Sequence, residues 1–473
     1  MTTIEVRPRF TVTRDRAAAA GPFRTGSRPR RIRLPQGWPL AVIIAGYPIW
    51  WVVGITPVLF PVAAVLLLRQ LVRGGRLKVP PGFSIYLLFL AVVVISAAAL
   101  NVTAPGTVPP SGASRYASFV LRLLDYASVA VFMLYVGNRS EAQLPRSAVI
   151  RWMSLLAVWT VLLGLLAIPF PSFSFPTVLS LVLPQSVLDL VGPGLSTNAL
   201  AQVQPVLGFD APRPAAPFAY TNAWGNSLSL LLVWLCVDAT ASRSKLVKLG
   251  TAALLLVSVA PIVYSLNRGV WIGLGLSIIY VAVRFAARGR LAAISVLALA
   301  VGAVSVAFIA SPLQSIVTER LAHGHSNGTR SSLAISSLNA AASSPVLGYG
   351  STRQAIGSDA SITVGKTAAC PRCGNQNVGS TGQFLLLLIA QGVTGTVLYL
   401  VYFLYTAWVY RRDASAIGIA GTLVILLNVF YGLFYTALQI PLALTFISIG
   451  LLWRNHALRE AGHVPRASPA ASR

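Results

Sequence analysis

A single arginine stands in a three-residue turn between two long apolar stretches. Asn267, Arg268 and Gly269 separate a stretch that ends at Leu266 from one that begins at Val270. Three residues turn a chain at a membrane surface but are too few for a soluble domain. An arginine there costs free energy unless it has a partner, so Arg268 is a candidate anion-binding residue. The alternative is an arginine that extends its head to the lipid headgroups.

Other basic residues fall in segments that are also predicted to lie outside the membrane, on the external face. The planar fork of arginine binds phosphate through paired hydrogen bonds. A membrane-embedded diphosphate, such as the one on a polyprenyl-linked sugar, is therefore the predicted target of this cationic surplus. The external basic residues are Arg115, Arg213, Arg268, Arg320, Arg330, Arg353, Lys366 and Arg372, and the external acids are Asp189, Asp210, Glu319 and Asp359.

One basic and one acidic residue are predicted to lie inside a membrane span. Arg122 stands near the external end of the fourth span, and Asp125 follows three residues later. Ionisable side chains within spans are costly and commonly face a cavity or one another. Arg122 therefore either adds to the anion site or forms a pair with Asp125 that neutralises itself within the membrane.

Two pairs of reactive side chains lie in the long segment that precedes residue 383. His323 and His325 come just before Asn327, and a histidine could accept a proton from an acceptor hydroxyl. The alternative is two exposed loop histidines. Cys370 and Cys373 form one C-x-x-C. A structural zinc needs four ligands and there is no second pair, so a disulfide that closes the loop is favoured, with a redox site as the alternative.

Several motifs of soluble enzymes and pumps are missing from the sequence. The external segments hold no D-x-D or paired-carboxylate motif, which argues against a divalent metal site of the sugar-nucleotide type. The chain has no G-x-S-x-G and no P-loop, which disfavours a serine hydrolase and an ATP-driven pump. The sequence therefore predicts chemistry without a metal or another cofactor.

Composition places these residues in a membrane protein. The chain has 473 residues, of which 55% are hydrophobic and 10% charged, with a mean hydropathy of +0.72. Its apolar runs recur at the length that crosses a hydrocarbon core of about 30 Å. The 37 basic residues against 11 acidic ones give a net charge of +26. Many of them lie in short loops between spans, where basic residues favour binding to anionic lipid headgroups rather than to nucleic acid.

The predicted fold class is an all-α, polytopic membrane protein with about 12 transmembrane helices and a long external loop that carries short helices. The basic loops predict that both termini are cytoplasmic. Residues 1–38 and 454–473 are predicted to be disordered basic tails around a transmembrane domain, 39–453, with external loops at 171–223 and 312–382. The predicted spans are two within 39–72, separated by a break near residues 54–57, then 83–100, 117–137, 149–170, 224–242, 249–266, 269–287, 291–311, 383–409, 415–433 and 436–453.

Four motifs resemble those of the O-antigen ligase and O-antigen polymerase family, in the family's order. SLNRGVWIGLGL resembles its S-R-G-x-[WL] signature, and PRPAAPFAYTNAWGN resembles its upstream arginine followed by F-x-x-P-N. NGTRSSLAISSLNAAASSPVLGYG resembles its N-x-x-R stretch that ends in P-x-x-G-x-G. GQFLLLLIAQGVTGTVLYL resembles the span that begins H-N-x-x-L and continues G-x-x-G. The resemblance covers about residues 205–405.

The resemblance implies a metal-independent glycosyltransferase of the bacterial cytoplasmic (inner) membrane. Such enzymes move a glycan from a polyprenyl diphosphate carrier to the hydroxyl of a glycan or lipid-glycan acceptor on the outer face. By position, Arg213 and Arg268 would hold the diphosphate leaving group and stabilise its growing charge. Arg330 would line the same cavity, beside Asn327, and Asn222 would shape the loop at the sixth span. Polymerase and ligase need the same donor site, so either is predicted.

The chain lacks one residue of the family's motifs that could take part in the chemistry. The family's histidine should fall near Thr381, where the local sequence is GSTGQF. Either His323 or His325 substitutes for it, or the acceptor needs no strong base, or the chain belongs to a subgroup with other chemistry. The competing functions are a flippase for lipid-linked oligosaccharide and a non-catalytic relative that binds the carrier. Transporters commonly consist of two similar halves, and no repeat is evident in this chain.

Overall fold

The computed structural model of the chain is mostly helical. It describes residues 37–73, 75, 77–110, 112–191, 195–204, 206–207, 209–322, 325–356 and 377–462. The helices are α1 Trp38–Ile44, α2 Tyr47–Val53, α3 Leu59–Val72, α4 Phe83–Ile95, α5 Ser114–Asn138, α6 Arg146–Leu166, α7 Gln185–Val191, α8 Thr221–Ala241, α9 Lys245–Tyr264, α10 Arg268–Ala286, α11 Leu291–Ile309, α12 Leu313–Ala322, α13 His325–Ala342, α14 Gln383–Tyr410, α15 Ala416–Tyr431 and α16 Ile440–Glu460.

Within the described residues, seven helices are long and apolar enough to cross a membrane, and they make this a multi-pass membrane protein. These are Arg115–Asn138, Arg146–Leu166, Thr221–Ala241, Lys245–Tyr264, Arg268–Ala286, Leu291–Ile309 and Gln383–Tyr410. Three shorter apolar helices are Leu59–Val72, Phe83–Ala99 and Ala416–Tyr431. The helical membrane fold is thus confirmed, and the number of about 12 spans stays a prediction.

In the first apolar stretch, 39–72, the predicted break near residues 54–57 is present, but the part before the break forms two helices instead of one. The stretch forms α1, α2 and α3, and each of the first two has only seven residues. The chain breaks at Gly54, where φ is +94°. A Cβ there would lie 2.6 Å from the Thr177 side chain, so a glycine lets the external segment pack against this turn. Hydropathy detects the apolar stretch but not this tertiary contact.

Short strands, which the sequence analysis did not predict, build part of the loop 171–223. β1 Ser174–Pro176 pairs with β2 Thr197–Ala199, and β3 Ala201–Gln204 pairs with β4 Ala211–Pro214, both antiparallel. A third pair, β5 Arg353–Gln354 and β6 Asn377–Val378, belongs to the second long loop. The loop 312–382 also carries the predicted short helices, α12 and α13.

Helix α16 forms the centre of the bundle. Its residues from Ile440 to Asn455 are buried, and it packs against α5, α8 and α15. The helix continues to Glu460, seven residues beyond the predicted end of the last span, because Arg454 is buried and donates to the carbonyl oxygens of Val136 and Arg139, each at 3.1 Å. The predicted disordered tail from 454 therefore begins as helix, and 463–473 lie outside the described residues, as do 1–36.

The basic residues of α10 show how charge is divided between the two ends of the bundle. Arg268 is its first residue, whereas Arg284 stands in its last turn and donates to the carbonyl oxygen of Asp413 at 2.6 Å. Asp413 also pairs with Arg459 and accepts from Asn455 at 2.8 Å. This network lies on the predicted cytoplasmic side. Which end faces outward stays a prediction.

A glycine kink joins the second long loop to the membrane helices. Helix α14 is broken at Gly392, where φ is +66°, and the loop 345–350 fills the break. Backbone groups freed by the kink are thereby satisfied inside the protein, as a membrane interior requires. The three bonds are Val393 N–H to Pro345 O, Tyr349 N–H to Ile389 O and Gly350 N–H to Ala390 O, each at 2.7 Å.

Replacing Gly392 with alanine should destabilise the protein. A Cβ at Gly392 would lie 2.5 Å from the carbonyl oxygen of Val346, and the positive φ adds strain. We expect a loss of about 1–3 kcal/mol in unfolding free energy, measured by thermal unfolding in detergent. Gly275→Ala in α10 is the control, because a Cβ there meets open space. Equal unfolding midpoints for the two variants would contradict this account of the kink.

Candidate active site

Arg213 is placed by the β3–β4 hairpin and is almost completely buried, at 5% exposure. Its Nε donates to the carbonyl oxygen of Ser265 at 2.6 Å, and one terminal nitrogen donates to Oδ1 of Asn267 at 2.5 Å. Its other terminal nitrogen donates to Oε1 of Gln204. The guanidinium therefore ties the hairpin to the turn that precedes α10.

The turn before α10 is shaped by contacts on both sides. Leu266 has a φ of +55°, and Asn267 donates from Nδ2 to the carbonyl oxygen of Thr221 at 3.0 Å. A Cβ on Gly269 would lie 2.5 Å from the Tyr435 hydroxyl, which accepts backbone hydrogen bonds from Gly269 and Val270. In three consecutive positions, Asn267 therefore fixes the turn to Thr221, Arg268 provides a positive charge, and Gly269 lets the Tyr435 hydroxyl approach the backbone.

Two more arginines reach this turn from the loop 312–382. Arg320 in α12 is buried and donates to the carbonyl oxygens of Leu266 at 3.3 Å and Val206 at 3.4 Å. Arg330 in α13 has an exposed side chain and interacts electrostatically with Arg268. Arg213, Arg268, Arg320 and Arg330 are hereafter the arginine cluster.

Three members of the arginine cluster, Arg213, Arg320 and Arg330, have a lowered pKa. Burial, followed by the charges of Arg330 and Arg320, lowers the pKa of Arg213 to about 9. Burial, followed by Arg268 and Arg330, lowers the pKa of Arg320 to about 10. Partial desolvation by the surrounding protein lowers the pKa of Arg330, whose side chain keeps contact with solvent, and Arg268 lowers this pKa further. The pKa values of Arg213 and Arg320 stay above neutrality, so these two side chains are charged at pH 7.

Tyr435 supplies a hydroxyl group in contact with this charge. It lies between α15 and α16 and is 3% exposed. Burial raises its pKa, and the neighbouring Arg330 and Arg213 partly offset that rise. The phenol is therefore neutral at pH 7 and can donate one hydrogen bond to a ligand.

The structure brings together three of the predicted site residues, Arg213, Arg268 and Arg330. It adds Arg320 and Tyr435, which the sequence analysis did not select. Arg320 was visible as an external basic residue, but nothing in its local sequence distinguished it from Arg115 or Arg353. Tyr435 had no sequence signal, because its role depends on the packing of a distant turn.

Two other external arginines have structural roles. Arg353 is 4% exposed and donates to carbonyl oxygens at the end of α4, including that of Leu100 at 3.0 Å. Arg115 donates to Oδ1 of Asn101 at 2.8 Å. These bonds hold loop backbone and side chains together, so neither arginine is placed in the arginine cluster.

The remaining predicted site residues are distributed as follows. Asn222 is the second residue of α8, and Thr381 lies two residues before α14. Each has a buried side-chain oxygen without a hydrogen-bond partner. Arg122 is in the first half of α5. The side chains of His325 and Asn327 are not described. His323, Cys370 and Cys373 lie outside the described residues, so the histidine base and the disulfide stay predictions.

The predicted self-neutralising pair of Arg122 and Asp125 is not closed by a salt bridge. Among the described residues, ion pairs join Arg146 and Arg454 to Glu141, His456 to Glu460, and Arg459 to Asp413. In the same part of the chain, no group of three or more His, Cys, Asp or Glu side chains could hold a metal ion. Metal independence stays a prediction.

Removing one positive charge from the arginine cluster should stabilise the unliganded protein. Arg330→Gln relieves the repulsion from Arg268, Arg320 and Arg213 that lowers these pKa values, so we expect a higher midpoint of thermal unfolding. Affinity for a diphosphate should fall about tenfold, the worth of one charge-assisted hydrogen bond. Arg73→Gln, an exposed arginine that ends α3, should leave both quantities unchanged. A lower unfolding midpoint for Arg330→Gln would show that repulsion is not dominant.

The fold and the arginine cluster define a multi-pass helical membrane protein with a strongly cationic site at one end of its helices. Residues 252–368, which include Arg268, Arg320 and Arg330, match the sequence model of the family described as O-antigen ligase. This match confirms, over that part of the chain, the resemblance that the motifs indicated. It suggests a membrane glycosyltransferase of the ligase or polymerase type in polysaccharide biosynthesis. No curated protein matches the chain.

Proposed function

We propose that the protein is an integral-membrane glycosyltransferase that moves a glycan from a polyprenyl diphosphate carrier to an acceptor hydroxyl on the outer face of the bacterial cytoplasmic membrane. The observation that carries this proposal is the convergence of four arginines on the turn at Asn267–Gly269. Burial and neighbouring arginines lower the pKa of three of them, which indicates that positive charge is concentrated at this site. Such a site is suited to an anion with two charged phosphates.

The position of the cluster favours an anion that is attached to a lipid. Arg268 is the first residue of a 19-residue apolar helix, so its side chain stands where a membrane ends. A polyprenyl diphosphate has its phosphates at the same level and its chain in the hydrocarbon. Arg320 and Arg330 approach from the loop 312–382, which can therefore cover the donor from the aqueous side.

The cluster would act on the bond that breaks. As the anomeric carbon leaves the diphosphate, negative charge grows on the leaving oxygen, and fixed positive charge lowers the energy of that transition state. Arg213 is held by three acceptors, so its charge is oriented before the donor binds. Arg268 and Arg330 would contact the phosphates. The donor diphosphate and the glycan or lipid-glycan acceptor are the proposed partners, with membrane lipids around the helices.

A flippase for the same lipid-linked sugar is the second candidate. Transporters commonly bind their substrate near the membrane midplane, between two similar halves. The arginine cluster instead lies at the start of α10 and beside the loop 312–382, which supports an external active site. A non-catalytic carrier-binding protein would use the same cluster without transfer.

Surface polysaccharide and lipid-linked precursor in cells separate the three candidates. Arg268→Ala and Arg213→Ala variants, matched for membrane level, should lose the polymer and accumulate precursor on the external leaflet. Precursor trapped on the cytoplasmic leaflet would indicate a flippase instead. Unchanged polymer in both variants would remove these arginines from the function. If the protein only binds the carrier, the purified wild-type protein should show no glycan transfer.

A further inference from the structure

Helix α5 carries two ionisable side chains, each with buried polar atoms that lack a hydrogen-bond partner. Asp125 is 6% exposed and Arg122, one turn earlier, is half-buried. Oδ1 of Asp125 and both Nε and one terminal nitrogen of Arg122 are buried without a hydrogen bond. Leaving such groups unpaired in a low-dielectric interior is costly. A ligand that both donates and accepts hydrogen bonds, as a sugar hydroxyl does, would satisfy both side chains.

A chain of hydrogen bonds links Tyr126, the neighbour of this pair in α5, to the arginine cluster. Tyr126, the next residue after Asp125, accepts at its hydroxyl from Nε2 of Gln383 at 2.8 Å. The backbone N–H of Gln383 donates to the carbonyl oxygen of Tyr435 at 3.0 Å. The hydroxyl of Tyr435 in turn rests on Gly269, beside Arg268. Helix α5 therefore borders the donor site through the start of α14.

A second route reaches Asp125 from the hairpin side. Asp125 interacts electrostatically with Tyr47 of α2. The ring of Tyr47 lies 5.5 Å from that of Phe218, centroid to centroid. Phe218 lies in the segment that joins β4 to α8. Strand β4 carries Arg213, and Asn222 is the second residue of α8. The unpartnered oxygens of Asn222 and Thr381 lie at the starts of α8 and α14, near the two routes.

We propose that Arg122 and Asp125 form the acceptor subsite of this enzyme, and that Asp125 is its general base. The inference rests on the proposed function. The acceptor oxygen attacks the anomeric carbon while its O–H bond breaks and the proton passes to Oδ1 of Asp125. The bond from the anomeric carbon to the diphosphate oxygen breaks, and its electron pair leaves with the diphosphate. Arg122 holds a neighbouring hydroxyl, and Asp125 then releases the proton to water.

Among the carboxylates whose side chains the structure describes, Asp125 is the best placed for this role. Glu141, Asp238, Asp413 and Glu460 stand at the opposite end of the bundle, and Asp210 is exposed. Glu319 is the rival, because it precedes Arg320 in α12. It approaches from the loop side, whereas the acceptor subsite lies within the helices. The experiment therefore includes both acids.

Transfer and donor binding by the full-length protein in lipid nanodiscs test the inference, with a polyprenyl diphosphate-linked glycan as donor. Asp125→Asn should slow transfer by at least about 100-fold, the usual contribution of a general base, and leave donor affinity within about twofold. Asp125→Glu keeps a carboxylate and should retain measurable transfer. Ser128→Ala is the matched control, since Ser128 is buried one turn later on the same helix and bonds only the carbonyl oxygen of Leu124.

Rescue separates a chemical role from a structural one. Added formate should restore part of the transfer by Asp125→Ala in proportion to its concentration, and should not restore Arg268→Ala. The inference is overturned if Asp125→Asn keeps a rate within about threefold of wild type, if it also loses donor affinity, or if Glu319→Gln alone loses transfer. Absence of transfer by the wild-type protein would instead refute the proposed function, and the inference with it.

Discussion

Arg268→Ala is expected to lower the rate of glycan transfer by about 100- to 1000-fold, the range found when one donor to a developing oxyanion is removed. Arg268 is half-buried at the first position of α10, next to Tyr435 and electrostatically coupled to Arg320 and Arg330. Its charge therefore lies at the centre of the proposed diphosphate site. Alanine is the best helix former, so the variant should reach the membrane at the wild-type level.

The matched control for Arg268→Ala is Arg115→Ala. Arg115 is another arginine of the predicted external face, but it bonds Asn101 and Gly112 rather than the turn before α10. Its removal should change the rate of transfer by less than about threefold. Arg268→Lys should fall between the two, because an ammonium keeps the charge and loses the paired geometry. Equal rates for Arg268→Ala and Arg115→Ala would remove Arg268 from the chemistry.

Arg213→Lys is expected to cost both stability and transfer. The guanidinium donates to Ser265, Asn267 and Gln204 from three different nitrogens, and an ammonium on a flexible stem does not match these three directions. We expect a loss of about 3 kcal/mol in unfolding free energy, because buried acceptors of a charged donor are left without a partner. Transfer should fall at least about 100-fold, since the turn that orients Arg268 loses its anchor.

The Arg353→Lys variant is the control that distinguishes a loss of stability from a loss of donor binding. Arg353 is as deeply buried as Arg213, at 4% against 5% exposure, and it also donates to backbone carbonyl oxygens. It stands outside the arginine cluster. The Arg353 variant should therefore lose stability in thermal unfolding but keep donor affinity in the fraction that folds. If Arg213→Lys retained donor affinity to the same extent, its buried charge would be structural only.

The sequence predicted most of the membrane-spanning helices because a continuous apolar run is sufficient to mark them. The bounds of α8, α9 and α10 agree within a few residues with the predicted spans 224–242, 249–266 and 269–287. The hairpin that carries Arg213 was not predicted, since its strands have only four residues each, β4 contains two prolines, and their pairing is a contact between separate segments. The extension of α16 was missed for a similar reason: Arg454 is buried by carbonyl oxygens of another helix.

The candidate site was predictable in part. Arg213, Arg268 and Arg330 could be identified because each stands in a local motif of a known family. Arg320 and Tyr435 could not, because their placement follows from how α12 and the segment before α16 pack on the turn. Asp125 had been interpreted through its spacing from Arg122 alone. The absence of a salt bridge between them is a property of side-chain conformation, which spacing does not determine.

The proposed diphosphate site at the arginine cluster can be tested by measuring the binding of sugar-free polyprenyl diphosphate to the purified protein in nanodiscs. The account predicts that the wild type and Arg115→Ala bind alike, that Arg268→Ala binds at least about tenfold more weakly, and that affinity falls as salt rises, because the site is cationic. The same affinity for Arg268→Ala and Arg115→Ala, with no dependence on salt, would contradict a diphosphate site at the arginine cluster.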